Sequence, residues 1–576
     1  MTQPPPPPPN QPPHQPPPGF GPPQEPPPGF AGGFGPPVQP PPPGYGQPQQ
    51  QYPQQHQQYQ QPQQYGYPTQ PVQPMPHPGP GGGGGGARKP GKRTRTILAV
   101  AGALLLIGGG GLAYAAFGDR DEPARPGPSA GGNKKDDGGK SGKEEAGKEG
   151  GGSAADGPGA ETAPADPVAE LAFHRPEPEV KSITSVKGSW IAGKTFVKPG
   201  LNSIVGHDAD RGTVSWTLSL PGQICASSLH QSADGKAAIL FEAAKRTGPR
   251  YFQPCTEVGV VDLASGKLLW RTSVTSATGG DAKVVFAEVT QSGSTVAAGG
   301  LNGGAAFDLN SGKVRWKPKA SADGCHDRGY AGGPALVAVR QCGRIGEPQV
   351  TVQGLDPKDG RPLFTYKMPE TVKYASVVST EPLVVAADVG DTAGSSGFSD
   401  LFSLDGKGGL RARIPAARDA YEAKCRVTEV ENCKKIVVGN GRVYLPTAAR
   451  ESSSGFQDTN EIVSFDLATG KPTSDRTEAG ARHLLLPMRM DGGNLIAYKT
   501  AAYDTGGQVI SIDGGTFRQT VLMKNPGDKE SSDRERSFTA DGDEMRFADG
   551  RLFLSGSLIS EHTYGDRTLI LGYRTG

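Results

Sequence analysis

Six cysteines are the residues of this 576-residue chain whose type and number most directly suggest chemistry: Cys225, Cys255, Cys325, Cys342, Cys425 and Cys433. An even count with no C-x-x-C reads as three disulfides in an oxidising compartment, with a redox or metal role as the second reading. Among the histidines, His174, His207, His230, His326, His483 and His562 are scattered, without H-E-x-x-H or another close ligand spacing. One G-x-S-x-G match surrounds Ser129, in a Gly-rich stretch that lacks the strand and helix of a nucleophile elbow. Gly139-Lys140-Ser141 and the stretch from Gly86 to Lys92 imitate a phosphate loop, but the first lacks the leading glycine and the second ends in Arg93. Asp541-Gly542-Asp543-Glu544 starts like a calcium loop and departs after three residues, so it reads as the approach to an Asp549-Gly550 turn. No catalytic residue, cofactor site or metal site is assigned on these patterns.

The elements that must position such residues fall into four stretches. Residues 1–95 are Pro-, Gln- and Gly-rich; residues 1–80 hold 31 of the 56 prolines, which predicts a disordered tail with polyproline II character. That tail reads either as an entropic spacer or as a ligand for proline-recognising domains. Residues 96–117 carry no charge, and 22 residues at helical rise span about 33 Å, enough for a membrane-crossing helix. Arg88, Lys89, Lys92, Arg93 and Arg95 precede it and Asp119, Asp121 and Glu122 follow. The positive-inside rule then puts the N-terminus in the cytoplasm and the C-terminal domain outside. Ala113-Tyr114-Ala115 also resembles a signal-peptidase site, but some 90 residues ahead of the apolar core argue against cleavage. Residues 118–167 form a charged Gly-rich linker, and 168–576 change character. A formal charge of +2 gives no electrostatic case for a nucleic-acid partner.

In 168–576, short β-rich apolar runs are punctuated by Gly, Asn and Asp, and one unit recurs. It runs from Val261 to Trp270, with Asp262, Gly266 and Trp270 at fixed offsets, and again from Ala306 to Trp316, with Asp308, Gly312 and Trp316. Weaker copies lie at Asp208 to Trp216, Leu355 to Phe364, Leu404 to Arg411, Phe465 to Lys471 (Asp466, Gly470) and Ile512 to Gly515. Each reads as a strand, a tight Asp/Gly turn and a strand. A second turn recurs at Gly193, Gly235, Gly293, Gly333, Gly441, Gly493 and Gly550, with Glu381-Pro382 in the remaining slot. Eight units of about 51 residues predict an all-β, eight-bladed β-propeller, with seven blades as the alternative. The chain ends one strand short of a full unit, and 168–175 is placed to supply that strand and close the ring.

The Ala306 to Trp316 segment resembles the A-x-D-x-x-T-G-x-x-x-W repeat of pyrroloquinoline-quinone-like β-propellers, with Ser311 in place of Thr. That family includes quinoprotein dehydrogenases and the periplasmic outer-membrane assembly lipoprotein. The resemblance implies the fold, and implies that the repeat Asp and Gly fix a turn while Trp packs between blades. Its quinone enzymes use an adjacent Cys-Cys pair, a Trp platform and acidic calcium ligands; this sequence has no adjacent cysteines. Within the repeat, Cys225 follows Gly212 by thirteen residues and Cys325 follows Gly312 by thirteen, so the two occupy one position two blades apart. A disulfide needs Cα atoms within about 7 Å, which favours the local pairs Cys225–Cys255, Cys325–Cys342 and Cys425–Cys433. The Ala/Gly/Pro-heavy composition resembles that of high-GC actinobacterial chains.

The resulting expectation is a non-enzymatic, single-pass extracytoplasmic propeller that binds a protein or cell-envelope ligand, with no cofactor. The alternatives are a quinone-dependent oxidoreductase and a transmembrane sensor with a partner-recruiting tail.

Overall fold

Buried β-runs such as Ala237-Ala238-Ile239-Leu240-Phe241 are apolar on both sides, so each sheet must be covered on both faces. The computed structural model solves this by packing sheet against sheet in a ring. It describes residues 159–576 except 248–251, 277–280, 301–302, 319–323, 345, 418–419, 452–457 and 562–566. The expectations for 1–95, 96–117, the linker to residue 158, Ser129 and His562 therefore lie outside the described residues. Among those described, no helix is long and apolar enough to cross a membrane.

Eight four-stranded antiparallel sheets follow in chain order: blades 1 to 7 span 190–219, 224–272, 288–316, 326–367, 375–415, 437–478 and 485–524. Blade 8 takes three strands from 544–575 and its outer strand from Ala169–Pro176, paired antiparallel from Ala169↔Thr575 to Pro176↔Thr568 with register shifts between Leu171 and Phe173 and between Arg175 and Pro176. Closure by the two ends of the domain is thus observed, and the count is eight. In each blade the first strand lies innermost. The turns after the first and third strands lie on one face, the turn face. Connections after the second and fourth strands lie on the other.

The repeat carries the turn face. Asp308 Oδ1 accepts from the Asn310 and Ser311 N–H groups at 3.1 and 2.9 Å, and the Gly312 N–H donates to the Asp308 carbonyl at 2.9 Å. Gly312 sits at φ +69°, a left-handed conformation that favours glycine. The Arg315 guanidinium, 2.7 Å away, holds the Asp308 carboxyl down to about 2. Asp262 and Asp466 accept the same bonds ahead of Gly266 and Gly470.

Each repeat tryptophan then seals the gap to the next blade. A Cβ at Gly312 would stand 2.6 Å from Trp270, and one at Gly360 equally close to Trp316, so only glycine lets the indole lie flat on the turn. Trp270 Nε1 donates to the Leu309 carbonyl at 2.7 Å and Trp316 Nε1 to that of Pro357 at 3.2 Å. Trp216 covers Gly266, and Phe364 and Phe173 play the same part over Gly408 and Gly212. The series lapses in blades 6 and 7, where Gly470 meets Ala412 and the Arg413 backbone, and Phe517 occupies the left-handed position.

One element departs from the all-β expectation. Lys529–Arg536 forms an α-helix capped by Asp528, whose side chain accepts from the Ser531 N–H at 3.0 Å. Its sequence, KESSDRER, buries only Ser532 and Glu535, so it has no apolar stripe to read.

Candidate functional site

The connection between blades 5 and 6 is much longer than a turn and folds into a small hairpin, Lys424–Cys425 paired with Cys433–Lys434. Cys425 and Cys433 are joined by a disulfide at its base, and the loop between them reaches into the propeller axis. Its tip, Glu429-Val430-Glu431, touches the segment ahead of blade 1 and then blades 2 to 5. Glu429 Oε1 pairs with Lys187 Nζ, just ahead of blade 1, at 2.9 Å. Glu431 Oε1 pairs with His230 Nε2 on the inner strand of blade 2 at 2.8 Å, and accepts from the Gly332 N–H of blade 4 at 3.0 Å. Val430 donates its N–H to Glu288 Oε2 of blade 3 at 2.7 Å and accepts from the Val377 N–H of blade 5 at 2.7 Å. The segment is a plug, and the face it occupies is called the plug face below.

Electrostatics at the tip follow from burial. Burial, aided by the neighbouring charges of Glu429 and Glu431, pushes the Glu288 carboxyl up to about 8, so it is uncharged at neutral pH. Its Oε1 is buried without a hydrogen-bond partner. For His230, burial pulls the imidazole down, but the Glu431 carboxylate outweighs it and the ring ends above its ordinary value. The Glu431 carboxyl ends below its own ordinary value, because His230 opposes the effect of burial. On the opposite wall, Lys198 is 1% exposed and pairs with Glu544 Oε2 at 2.9 Å. Glu544 also accepts from the Gly188 N–H at 2.7 Å.

Between the plug and the inner strands of blades 7 and 8 lies a cavity of about 280 Å³, lined by Lys434, Arg546, Leu486, Met488, Met545 and Leu229 among others. A second hollow of about 300 Å³ shares Leu229, Met488, Met545 and Arg546 with it and reaches Trp190, Arg489 and Ala548 toward the turn face. The two hollows are therefore continuous along the axis beside the plug.

The three local cysteine pairs are all present, Cys225–Cys255 and Cys325–Cys342 as well as Cys425–Cys433. They staple separate loops. Among the predicted histidines only His230 reaches the axis. His174 and His326 are exposed; His207 is buried with Nδ1 3.2 Å from the Gly212 carbonyl; His483 Nδ1 lies 2.7 Å from the Thr500 carbonyl. Among the described residues, no group of three or more His, Cys, Asp or Glu side chains is placed to hold a metal ion. Asp541-Gly542-Asp543-Glu544 does lead into the inner strand of blade 8 and the Asp549-Gly550 turn, with Asp541 paired to Lys435 at 2.7 Å. Sequence reasoning missed Glu288, Glu429, Glu431, Lys198, Glu544 and Arg546. The available signal was the eight-residue cysteine spacing enclosing two glutamates, which marks a pinned, charged loop.

Of the four tryptophans, Trp216, Trp270 and Trp316 are committed to the glycines of neighbouring blades, whereas Trp190 lines the second hollow and donates Nε1 to the Ser228 carbonyl at 3.1 Å.

The family model for outer membrane protein assembly factor BamB matches residues 190–336 and 256–516. No curated protein matches the sequence. Solved structures with similar folds include BamB from Moraxella catarrhalis (11% identity, 69% of this chain and 99% of that one, TM-score 0.36). Quinohemoprotein alcohol dehydrogenase ADHIIG from Pseudomonas putida HK5 matches at 9% identity, over 69% and 76% of the two chains, TM-score 0.36. A europium-containing methanol dehydrogenase matches at 13%, over 67% and 84%, TM-score 0.36. Likenesses this distant carry no functional argument. With a sequence match over more than half its length and the repeat turns in place, the chain belongs to the pyrroloquinoline-quinone-like β-propeller family represented by outer membrane protein assembly factor BamB.

Proposed function

We propose that this protein is a non-enzymatic, membrane-anchored extracytoplasmic docking module, and that its plug face receives a protein of the cell envelope. The observation that carries the reading is an asymmetry between the two faces. Away from the outer strands and the axis, the exposed large apolar side chains among the described residues sit in connections of the plug face, including Ile183, Phe252, Tyr374, Val427, Tyr503 and Leu558. The repeat turns on the other face present Asp, Ser, Asn and Lys. Exposed apolar residues gathered on one face mark an interaction surface better than the same residues scattered singly. Three disulfides on the domain and an uncharged 22-residue segment ahead of it support an anchored, oxidising location.

The test compares charge insertions on the two faces of the full chain. Val427→Asp with Tyr374→Glu is expected to abolish recovery of an envelope partner, whereas Ser265→Glu with Asn310→Glu leaves it intact. Equal recovery with both variants contradicts the reading. So does dye-linked dehydrogenase activity that appears on adding the quinone with calcium.

A further inference from the structure

The acidic groups around the axial cavity are all engaged within the protein. Glu429 is held by Lys187 and Asn432, Glu431 by His230 and Gly332, Glu544 by Lys198 and Gly188. Asp543 accepts from the Thr539 N–H at 2.7 Å, and Glu288 is uncharged at neutral pH. Two cations on the same cavity have no carboxylate within 4.0 Å among the described residues. Lys434 Nζ donates to the Asp543 carbonyl at 2.9 Å, and Arg546 donates to the carbonyls of Ser189 and Met545 at 3.0 and 3.4 Å. A backbone or hydroxyl partner satisfies a polar group but does not neutralise a charge, so these two cations face the single carboxylate of Asp543, and the cavity keeps a net positive charge beside an apolar wall.

The size and count of charges narrow what fits. Burial, opposed by Glu544 and reinforced by Arg426 and Arg546, holds the Lys434 ammonium below its ordinary value. Arg546 presents a planar fork that suits a carboxylate. The wall of Leu229, Leu486, Met488 and Met545 takes a flexible apolar body, since methionine adapts its shape to what it packs against. At about 280 Å³ the cavity is smaller than a drug-sized pocket. The second hollow continues past Leu229 and Met488 to Trp190, Arg489 and Ala548.

We propose that the axial cavity binds a small monoanionic amphiphile, a carboxylate on a short apolar body, with Arg546 and Lys434 on the carboxylate and the leucine and methionine wall on the body. This site does not depend on the docking of a protein at the plug face, and either stands if the other fails.

Isothermal titration of the full chain with hexanoate, with hexan-1-ol as the uncharged control, tests it. The expected result is saturable binding of one hexanoate per chain, at least tenfold tighter than hexan-1-ol. Arg546→Met is expected to weaken it at least tenfold, and Arg546→Lys to restore part of the loss. Leu229→Trp, which fills part of the apolar wall without replacing either cation, is expected to weaken hexanoate and hexan-1-ol alike. An acetylated leucyl tripeptide with a free carboxyl end, set against its amide, separates a chain terminus from a free acid as the natural source. Hexan-1-ol binding as well as hexanoate, no saturable heat with either, or Arg546→Met binding like the parent while melting at the parent's temperature would each overturn the proposal.

Discussion

The turn face and the axis of this propeller are built on opposite plans. On the turn face a short local motif is repeated, and its copies contribute Asp-fixed turns, a left-handed residue that is glycine in blades 1 to 6 and, at five of the eight junctions, one aromatic that seals the next blade. On the axis nothing repeats. A single disulfide-pinned hairpin gathers Lys187 from the segment ahead of blade 1 and His230, Glu288, Gly332 and Val377 from blades 2 to 5 around one acidic tip. The difference teaches where function can be placed in such a ring. A repeated motif can only hold the scaffold together, because every copy faces the same neighbour, whereas an insertion between two blades can make a surface that occurs once.

The comparison breaks most easily at an indole. Trp270→Ala leaves Gly312 uncovered and is expected to lower unfolding stability by about 3 kcal/mol in denaturant titration, without altering amide exchange at the plug. A loss below about 1 kcal/mol would mean that the aromatic does not seal the blades. Next in size is the plug. Cys425→Ser with Cys433→Ser frees a short loop and is expected to cost about 2.5 kcal/mol from chain entropy, with faster exchange confined to 426–432 and Val377. Uniformly faster exchange across the ring would contradict the separation of the two regions.

Glu288→Gln sharpens the comparison through pH. Its carboxyl, 4.5 when exposed, is pushed up to about 8 in the fold, so between those values the native state holds a proton that the unfolded chain has released. Stability must then fall as pH rises through that window, by up to about 1.4 kcal/mol per pH unit. The glutamine variant is expected to lose that fall and to exceed the parent at pH 8 by on the order of 2 kcal/mol. A melting-temperature profile that keeps the parent's slope between pH 5 and 8 would contradict the account of the tip. The smallest effect belongs to a single turn: Asp308→Ala removes three short-range bonds at the rim and is expected to cost about 1 kcal/mol, as loss of a capping side chain does. It should leave the plug unchanged.

Legibility in the sequence follows the same division. Asp262, Gly266 and Trp270 lie within nine residues of one another, and so do Asp308, Gly312 and Trp316; local geometry fixes them, and repetition makes them visible. Ring closure was readable because the last unit lacks a strand and 168–175 resembles one. The cysteine pairs were readable because each closes within 30 residues. The axis was not. Glu288 meets Val430 across 142 positions and Lys187 meets Glu429 across 242, and no spacing rule connects residues brought together only by closing the ring. The helix at Lys529–Arg536 escaped for a different reason, since its stability comes from a cap and charge pairs and not from an apolar stripe.

The central claim is that the plug face, and not the repeated turn face, meets the partner. Site-specific photocrosslinking of the full chain in the cells that express it tests it most directly, with the reactive group placed singly at Val427 or Tyr374 on the plug face and at Ser265 or Asn310 on the turn face. The account predicts one discrete adduct from Val427 and Tyr374 and none from Ser265 and Asn310. Adducts of equal yield from both faces, or adducts from the turn face alone, would contradict it.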